Sequence, residues 1–469
     1  MAYINSYKNQ NWLIPPSIKD MISRDHICFF VEEFVESQDF SNFDQQYDGA
    51  GHPAYHPRIL LKIILQGMLS RIRSSRKLAA ATHESFIFMY LSEKVNPDFR
   101  TLARFRKENA NFIKNCFKQT IKLASDYNFL DLSFIGIDGS KIKAQANKKF
   151  YLDKITLDKL DHAIDKMLEE DIALDDLEEQ IFENKEEGLT GMNERDLRKI
   201  VRENFKNKDK QKLKQKILKA KNELIQNNLK KVSLTDPDCR MMQQAKKYFE
   251  LTYNTQFSVT RNQIIVANDL SQEVNDFHQL IPQIENIKQN VSLTRDTKVA
   301  VDCGYSDGRN IQFAEEKNID LYVPSKEQAQ RMDKKKIGIP QDNYEYDPQT
   351  GEIIVNGERY IFRGEERIKK RGVKALVYVN LKLKKRKYVP YYFKERLRMR
   401  DKMEKTEARK IYSLRKCTVE PVIGNIKQNL GFREFLLKGL NGTKIELNLI
   451  SIAHNLRKIW NLKRITSNY

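Results

Sequence analysis

Apolar residues in the first 125 positions recur every three or four residues, the period of an amphipathic helix. Pro57 opens the clearest run, HPRILLKIILQGMLSRI, at a position where the missing proline N–H costs nothing. A second, short helix begins at Ser75. Pro97 and Asp98 open a third, longer one, with Leu102, Phe105, Phe112 and Cys116 on one face. The pattern then turns to strands. Leu132-Ser-Phe-Ile-Gly-Ile-Asp138 is a β-run that ends in an acid. Residues 250–259 form another, and 263–270 return antiparallel after a turn marked by Asn262. Helical pattern covers 275–289. Thr297-Lys-Val-Ala-Val-Asp302 is again a strand ending in an acid, followed by a helix from about Asp307 and a strand over 319–324. The order βββαβαβ predicts an α/β domain in which three antiparallel strands feed a parallel pair.

Two stretches interrupt or follow this domain. Leu157, Leu160, Ile164 and Leu168 recur at helical spacing, as do Leu174, Leu177 and Ile181. Past Gly188-Leu-Thr-Gly191 the pattern resumes with Leu197, Ile200, Leu213 and Ile217. Residues 161–190 carry a net charge of −10 and residues 191–230 carry +8, so the two arms read as a helical hairpin with opposite charges along its seam. Residues 340–395 read as β, with Asn356-Gly357 a strong hairpin signal between Ile354-Val355 and Tyr360-Ile361. From about Arg396 to Trp460 the chain is helical again.

Composition narrows the classes. Of 469 residues 40% are hydrophobic, enough for a folded core. No run reaches the ~20 apolar residues of a membrane-spanning helix. The start of the chain lacks a secretory pattern, and five scattered cysteines with no CxxC pair argue against disulfides or a zinc site. A reduced, cytoplasmic protein is expected. The net charge is +20, and residues 361–469, with 29 Lys/Arg against 9 Asp/Glu, carry all of it. Lys384, Lys385, Arg386 and Lys387 lie where bases interleave with Tyr388, Tyr391, Tyr392 and Phe393, a composition suited to phosphates and bases. Arg100, Arg104 and Lys107 line one face of the third helix, which fits the reading helix of a helix-turn-helix module. The alternative in both places is a solvated basic face.

Three acids stand out. Asp138 and Asp302 end strands, where α/β sheets place their sites, and Glu420 lies within a basic helix, Tyr412 to Lys427. Converging carboxylates would hold hard cations such as Mg²⁺, and a metal pair can drive phosphodiester chemistry.

These motifs carry a resemblance. IGIDGSKIKA, VAVDCGYSDGRN and Tyr412…Arg415…Glu420…Lys427, in that order, resemble bacterial insertion-sequence DDE transposases of the Tyr–Arg–Glu–Lys branch, and look closest to the insertion-sequence family numbered 1182. YHPRILLKIILQGML and PDFRTLARFR resemble that family's helical N-terminal domain, and TDPDCRMM at 235–242 fits as well. The resemblance implies an RNase H-like catalytic core with Asp138, Asp302 and Glu420 as the acidic triad. It implies two divalent ions, Mg²⁺ or Mn²⁺, for strand cleavage at the element ends and transfer into target DNA. Tyr412, Arg415 and Lys427 would lie near DNA phosphates. Arg415 precedes Glu420 by five residues and Lys416 by four, and either can take the arginine position.

The expected organisation is a helical DNA-binding domain at 1–128, the first part of the core at 129–150, an inserted charged hairpin at 151–232 and the core continued at 233–325. A basic β-rich insertion at 326–398 and a C-terminal helical part of the core at 399–469 follow. The partners implied are double-stranded DNA (terminal inverted repeats and target), with a homo-oligomer forming on it in the nucleoid and no membrane. The rival readings are a nuclease of the same fold and a DNA-binding regulator or remnant without catalysis.

Overall fold

The computed structural model describes residues 17–46, 54–169, 196, 210–244, 247–332, 344–368 and 373–467. The chain forms two compact units, one from Met1–Thr120 with Asn448–Tyr469 and the other from Ile121–Leu447.

The first unit is helical. It contains α1 (Ile27–Glu36), α2 (Ser41–Gln46), α3 (Pro57–Leu69), α4 (Ser75–Glu84), α5 (Phe86–Leu91), α6 (Phe99–Glu108) and most of α7 (Ala110–Asp126). The His56 imidazole caps α3 by accepting from the Arg58 N–H (3.1 Å), and every α3 residue except Arg58 is buried. The buried Lys62 ammonium is matched by Glu36 (2.5 Å) and Glu93 (3.2 Å), which makes a charge inside this core tolerable. One expectation needs correcting. The long third helix is two helices, because Asn109 leaves the helical region (φ −108°, ψ 44°) and its side-chain amide donates to the Phe105 carbonyl (2.7 Å). The C-terminal helix, Gly439–Ser467, contributes its residues from Asn448 onward to this unit, whereas the sequence grouped them with the core.

The second unit is built on a mixed sheet of β1 (Phe134–Lys143), β4 (Arg240–Gln243), β5 (Phe249–Thr260), β6 (Ile265–Ser271), β7 (Lys298–Val301) and β8 (Asp320–Tyr322). The order is β4-β5-β1-β7-β8, and β6 also pairs with β5. β1 runs antiparallel to β5 and parallel to β7, and β7 runs parallel to β8. Helices Leu280–Lys288 and Gly308–Glu316 lie in the chain between β6, β7 and β8. The first begins at Leu280 rather than 275, so residues 272–279 form a loop. It covers the face on which Ser258 donates to Gln283 Oε1 (2.9 Å). Helix Val419–Gly424 packs on the other face. There Gly136 lets the two approach closely, since a Cβ would stand 3.1 Å from both Thr418 Oγ1 and Val419 Cγ1.

Between β1 and β4 lie β2 (Tyr151–Asp153), α8 (Lys154–Glu169), helix Lys210–Gln226 and β3 (Lys231–Ser233). Leu157, Leu160 and Ile164 share a buried cluster with Leu213, Ile217 and Leu224. Lys221 bridges Asp158 (2.8 Å) and Asp161 (2.7 Å), and Lys214 pairs with Asp165. The readings at Leu174, Leu177, Ile181, Gly188–Gly191, Leu197 and Ile200 lie outside the described residues.

A second, antiparallel sheet has β9 (Glu345–Tyr346), β10 (Ile353–Val355), β11 (Glu358–Ile368), β12 (Val373–Asn380) and β13 (Lys385–Val389) side by side in chain order. Asn356 and Gly357 both take positive φ (51° and 81°), the backbone a two-residue hairpin needs. The stretch read as helical from about Arg396 is made of several helices, and the basic helix read from Tyr412 to Lys427 is broken. Helices Phe393–Glu404 and Thr406–Ser413 lead into a 3-10 turn at Leu414–Cys417, then Val419–Gly424 and a π-helical turn at Asn425–Asn429. The break falls at Thr418 (φ −113°, ψ −87°), whose hydroxyl donates to the Leu414 carbonyl (2.9 Å). No helix among the described residues is long and apolar enough to cross a membrane.

Candidate active site

The β1–β7 ladder ends at Ile137 opposite Val301. The next residue on each strand is Asp138 and Asp302, so parallel pairing alone sets the two carboxylates beside each other. β1 continues along β5, with Asp138 opposite Phe257, while the chain after Asp302 turns into a 3-10 helix at Cys303–Tyr305. The Asp302 side chain caps that turn by accepting from the Cys303 N–H (2.6 Å).

Arg415 faces the pair. Arg415, 4% exposed, places one terminal nitrogen 3.2 Å from Asp138 Oδ2 and the other 4.0 Å from Asp302 Oδ1. The second nitrogen also donates to the Tyr412 hydroxyl (3.1 Å), while the guanidinium Nε is buried without a hydrogen-bond partner. Burial raises the Asp138 carboxyl to about 7; Arg415 pulls against that shift and Asp302 adds to it. Burial opposes the charge on Arg415, but Asp138, Tyr412, Asp302 and Glu420 together outweigh it, and the guanidinium stays above its ordinary range. Burial also pushes the Tyr412 hydroxyl and the Cys303 thiol up to about 12.

The other residues singled out from sequence are placed as follows. Lys427 is half-buried, donates to the Lys141 carbonyl (3.3 Å) and has a pKa lowered by burial against the pull of Asp138. Of the two candidates for the arginine position, Arg415 stands at the acids and Lys416 is exposed. Glu420 is exposed at the start of Val419–Gly424, and its charge reaches Arg415. Because the chain breaks at Thr418 and passes into a π-turn, helical spacing does not relate Arg415, Glu420 and Lys427 to one another. Among the described residues no three His, Cys, Asp or Glu side chains are grouped to hold a metal ion. Arg100, Arg104 and Lys107 are exposed on α6. Lys384 is exposed at the end of the β12–β13 turn, Lys385 and Arg386 are exposed at the start of β13, and Lys387 is half-buried on it.

Sequence reasoning passed over the reverse side of the site. Asp276, in the loop after β6, accepts from Asn254 (2.8 Å) and Gln256 (2.7 Å), and Gln256 accepts the phenol proton of Tyr305. The available signal was an acid in a polar loop at the end of a buried strand.

Comparison with known families bears on both units. Residues 16–108 match the model described as a transposase domain (DUF772), and residues 378–460 match the one described as a transposase DDE domain. The segment that matches the transposase DDE model contains Tyr412, Arg415, Lys416, Glu420 and Lys427 along with the Lys384–Lys387 cluster; the segment that matches the DUF772 model contains Arg100, Arg104 and Lys107. Asp138 and Asp302 lie outside both matches. A search of the curated proteins gives no match.

Proposed function

We propose that this chain is an insertion-sequence DDE transposase of the Tyr–Arg–Glu–Lys branch, with an RNase H-like core that cuts element ends and joins them to target DNA. One observation carries the reading. Asp138 and Asp302 follow the last pair of the parallel β1–β7 ladder, and the residue bridging them, Arg415, comes from the segment that matches a transposase DDE domain. A strand order of three antiparallel strands leading into a parallel pair supports the same core.

The donor set fits a hard divalent cation. Asp138 and Asp302 offer carboxylate oxygens only, and they already face a positive group. These two residues would hold Mg²⁺ or Mn²⁺, with Glu420 as the third acid of the motif. Bound there, the ions would polarise the phosphodiester and favour attack by water or a 3′-hydroxyl. The chain's own groups do the rest. Arg415 offsets part of the pair's charge in the free protein and orients Tyr412. The exposed bases at 384–386 and on α6 bind backbone phosphates, which positions DNA without reading its sequence.

The test is a gel assay of end-DNA binding beside Mg²⁺-dependent nicking. Wild type is expected to bind and nick. Asp302→Asn is expected to bind equally well and not to nick, because it keeps shape and removes one ligand charge. Nicking by the mutant at the wild-type rate would remove Asp302 from the site. A DNA-binding regulator without catalysis is the second reading, and the exposed Glu420 favours it. A wild type that binds but never nicks, with Mg²⁺ or Mn²⁺, decides for that reading. Strand transfer separates transposase from nuclease.

A further inference from the structure

Asp276 has no part in the reading above, yet it is built into the same strand ends. Its Oδ1 takes hydrogen bonds from the Asn254 and Gln256 amides, at 2.8 and 2.7 Å, and both donors are buried on β5. Gln256 pairs with Gly139 across the β5–β1 ladder. Side chains alternate along β1, so Gly139 faces the side of the sheet opposite Asp138 and Gly136. A Cβ at Gly139, the residue after Asp138, would stand 2.6 Å from Asp276 Oδ1. One at Gly304, two residues after Asp302, would stand 3.5 Å from Oδ2. The carboxylate is thus seated from behind against the backbone of both segments that present the site acids. Its hydrogen bonds come from neutral amides, which hold the group without cancelling its charge. That charge is felt on the far side, where it adds to the effects that raise the Asp138 carboxyl.

We propose that Asp276 is a positioning residue of the acid site. It fixes the Gly139 and Gly304 backbones, and its charge strengthens the hold of Asp138 and Asp302 on a divalent cation. The inference rests on the proposed cation site at those two aspartates.

Because one oxygen accepts both amides, Asp276→Asn can keep both bonds through its own Oδ1 and lose only the charge. Mn²⁺ binding to the full chain, followed by titration calorimetry at low ionic strength, separates the outcomes. Asp276→Asn is expected to melt near the wild-type temperature and to bind Mn²⁺ about 3- to 10-fold more weakly, an effect of one charge acting at a distance on a divalent ion. That gap should narrow as salt is added, which a purely structural lesion would not do. If Asp276→Asn folds poorly, Asp276→Ser repeats the comparison with a smaller neutral side chain. Unchanged Mn²⁺ affinity in a folded mutant, or a deficit indifferent to salt, overturns the proposal. The Asp302→Asn variant keeps the two failures apart. If it abolishes Mn²⁺ binding while Asp276→Asn leaves it intact, only the role of Asp276 is lost. If wild type binds no Mn²⁺ at all, the cation site and this inference fall together.

Discussion

Arg415 sets a guanidinium nitrogen 3.2 Å from the Asp138 carboxylate, in a setting where both side chains are largely withdrawn from water. The attraction does not fully offset the cost of burial, since the Asp138 carboxyl still stands at about 7. An unfolded aspartate titrates near 3.9. Between those values the folded chain keeps a proton that the unfolded chain has released, so this group's stabilising contribution is present in acid and lost as pH rises toward 7. In buffer with a chelator, wild-type stability should fall more steeply over that window than that of Asp138→Asn, by up to about 1.4 kcal/mol per pH unit. Denaturant unfolding across the pH range measures both slopes. Equal slopes would mean that Asp138 ionises as freely in the fold as outside it.

Gly136 is where helix Val419–Gly424 rests on β1. A methyl there meets Thr418 and Val419 at 3.1 Å, and both are buried and held from behind. Gly136→Ala should destabilise the chain by about 1–3 kcal/mol through overpacking. It should also cut nicking, because the displaced segment begins just after Arg415. Full activity with an unshifted melting temperature would contradict this packing.

The basic turn between β12 and β13 gives a salt-dependent prediction. Replacing Lys384, Lys385, Arg386 and Lys387 by Gln should lower the slope of log affinity against log salt by about 2–3 on any DNA sequence. The full value of four contacts is not expected, since Arg386 also pairs with Glu366 (3.2 Å). Binding curves at several salt concentrations decide it, and an unchanged slope places the cluster outside the interface.

The TDPDCRMM segment has a structural explanation. Asp236, 1% exposed, accepts from the Tyr253 hydroxyl (2.9 Å) and the Gly439 N–H (3.1 Å), and Asp238 accepts from the Leu440 N–H (2.9 Å). Together they cap the start of helix Gly439–Ser467. Asp236→Ala should cost about 2–3 kcal/mol, because it removes a cap and leaves a buried phenol unpaired. Thermal unfolding reads this directly, and a melting point equal to wild type would refute it.

Much of this was legible in the residues. The β-runs read up to Asp138 and Asp302 located the two strands that carry the site, although β1 runs on past Asp138 to Lys143, and Asn356-Gly357 located a hairpin by its backbone chemistry. The errors share a cause. Helical periodicity continues through Asn109 and through Thr418, but in each case a side chain bonds to the carbonyl four residues back and the backbone leaves the helix. The run expected from 275 starts only at Leu280, which hid Asp276 in what looked like an ordinary first turn. Its importance comes from two glycines, on β1 and after β7, that no local pattern connects to it.

The hairpin inserted after β1 also sets an order of assembly. Its apolar cluster, Phe150 to Leu234, is local in sequence and can close while the chain is still being made. β1 cannot settle then, for both of its sheet partners, β5 and β7, emerge later, and Arg415 later still. A growing chain therefore carries Asp138 on a strand with two open edges and no neighbouring acid. Any product that stops within the second sheet brings the two aspartates together without the arginine that lies between them in the finished molecule.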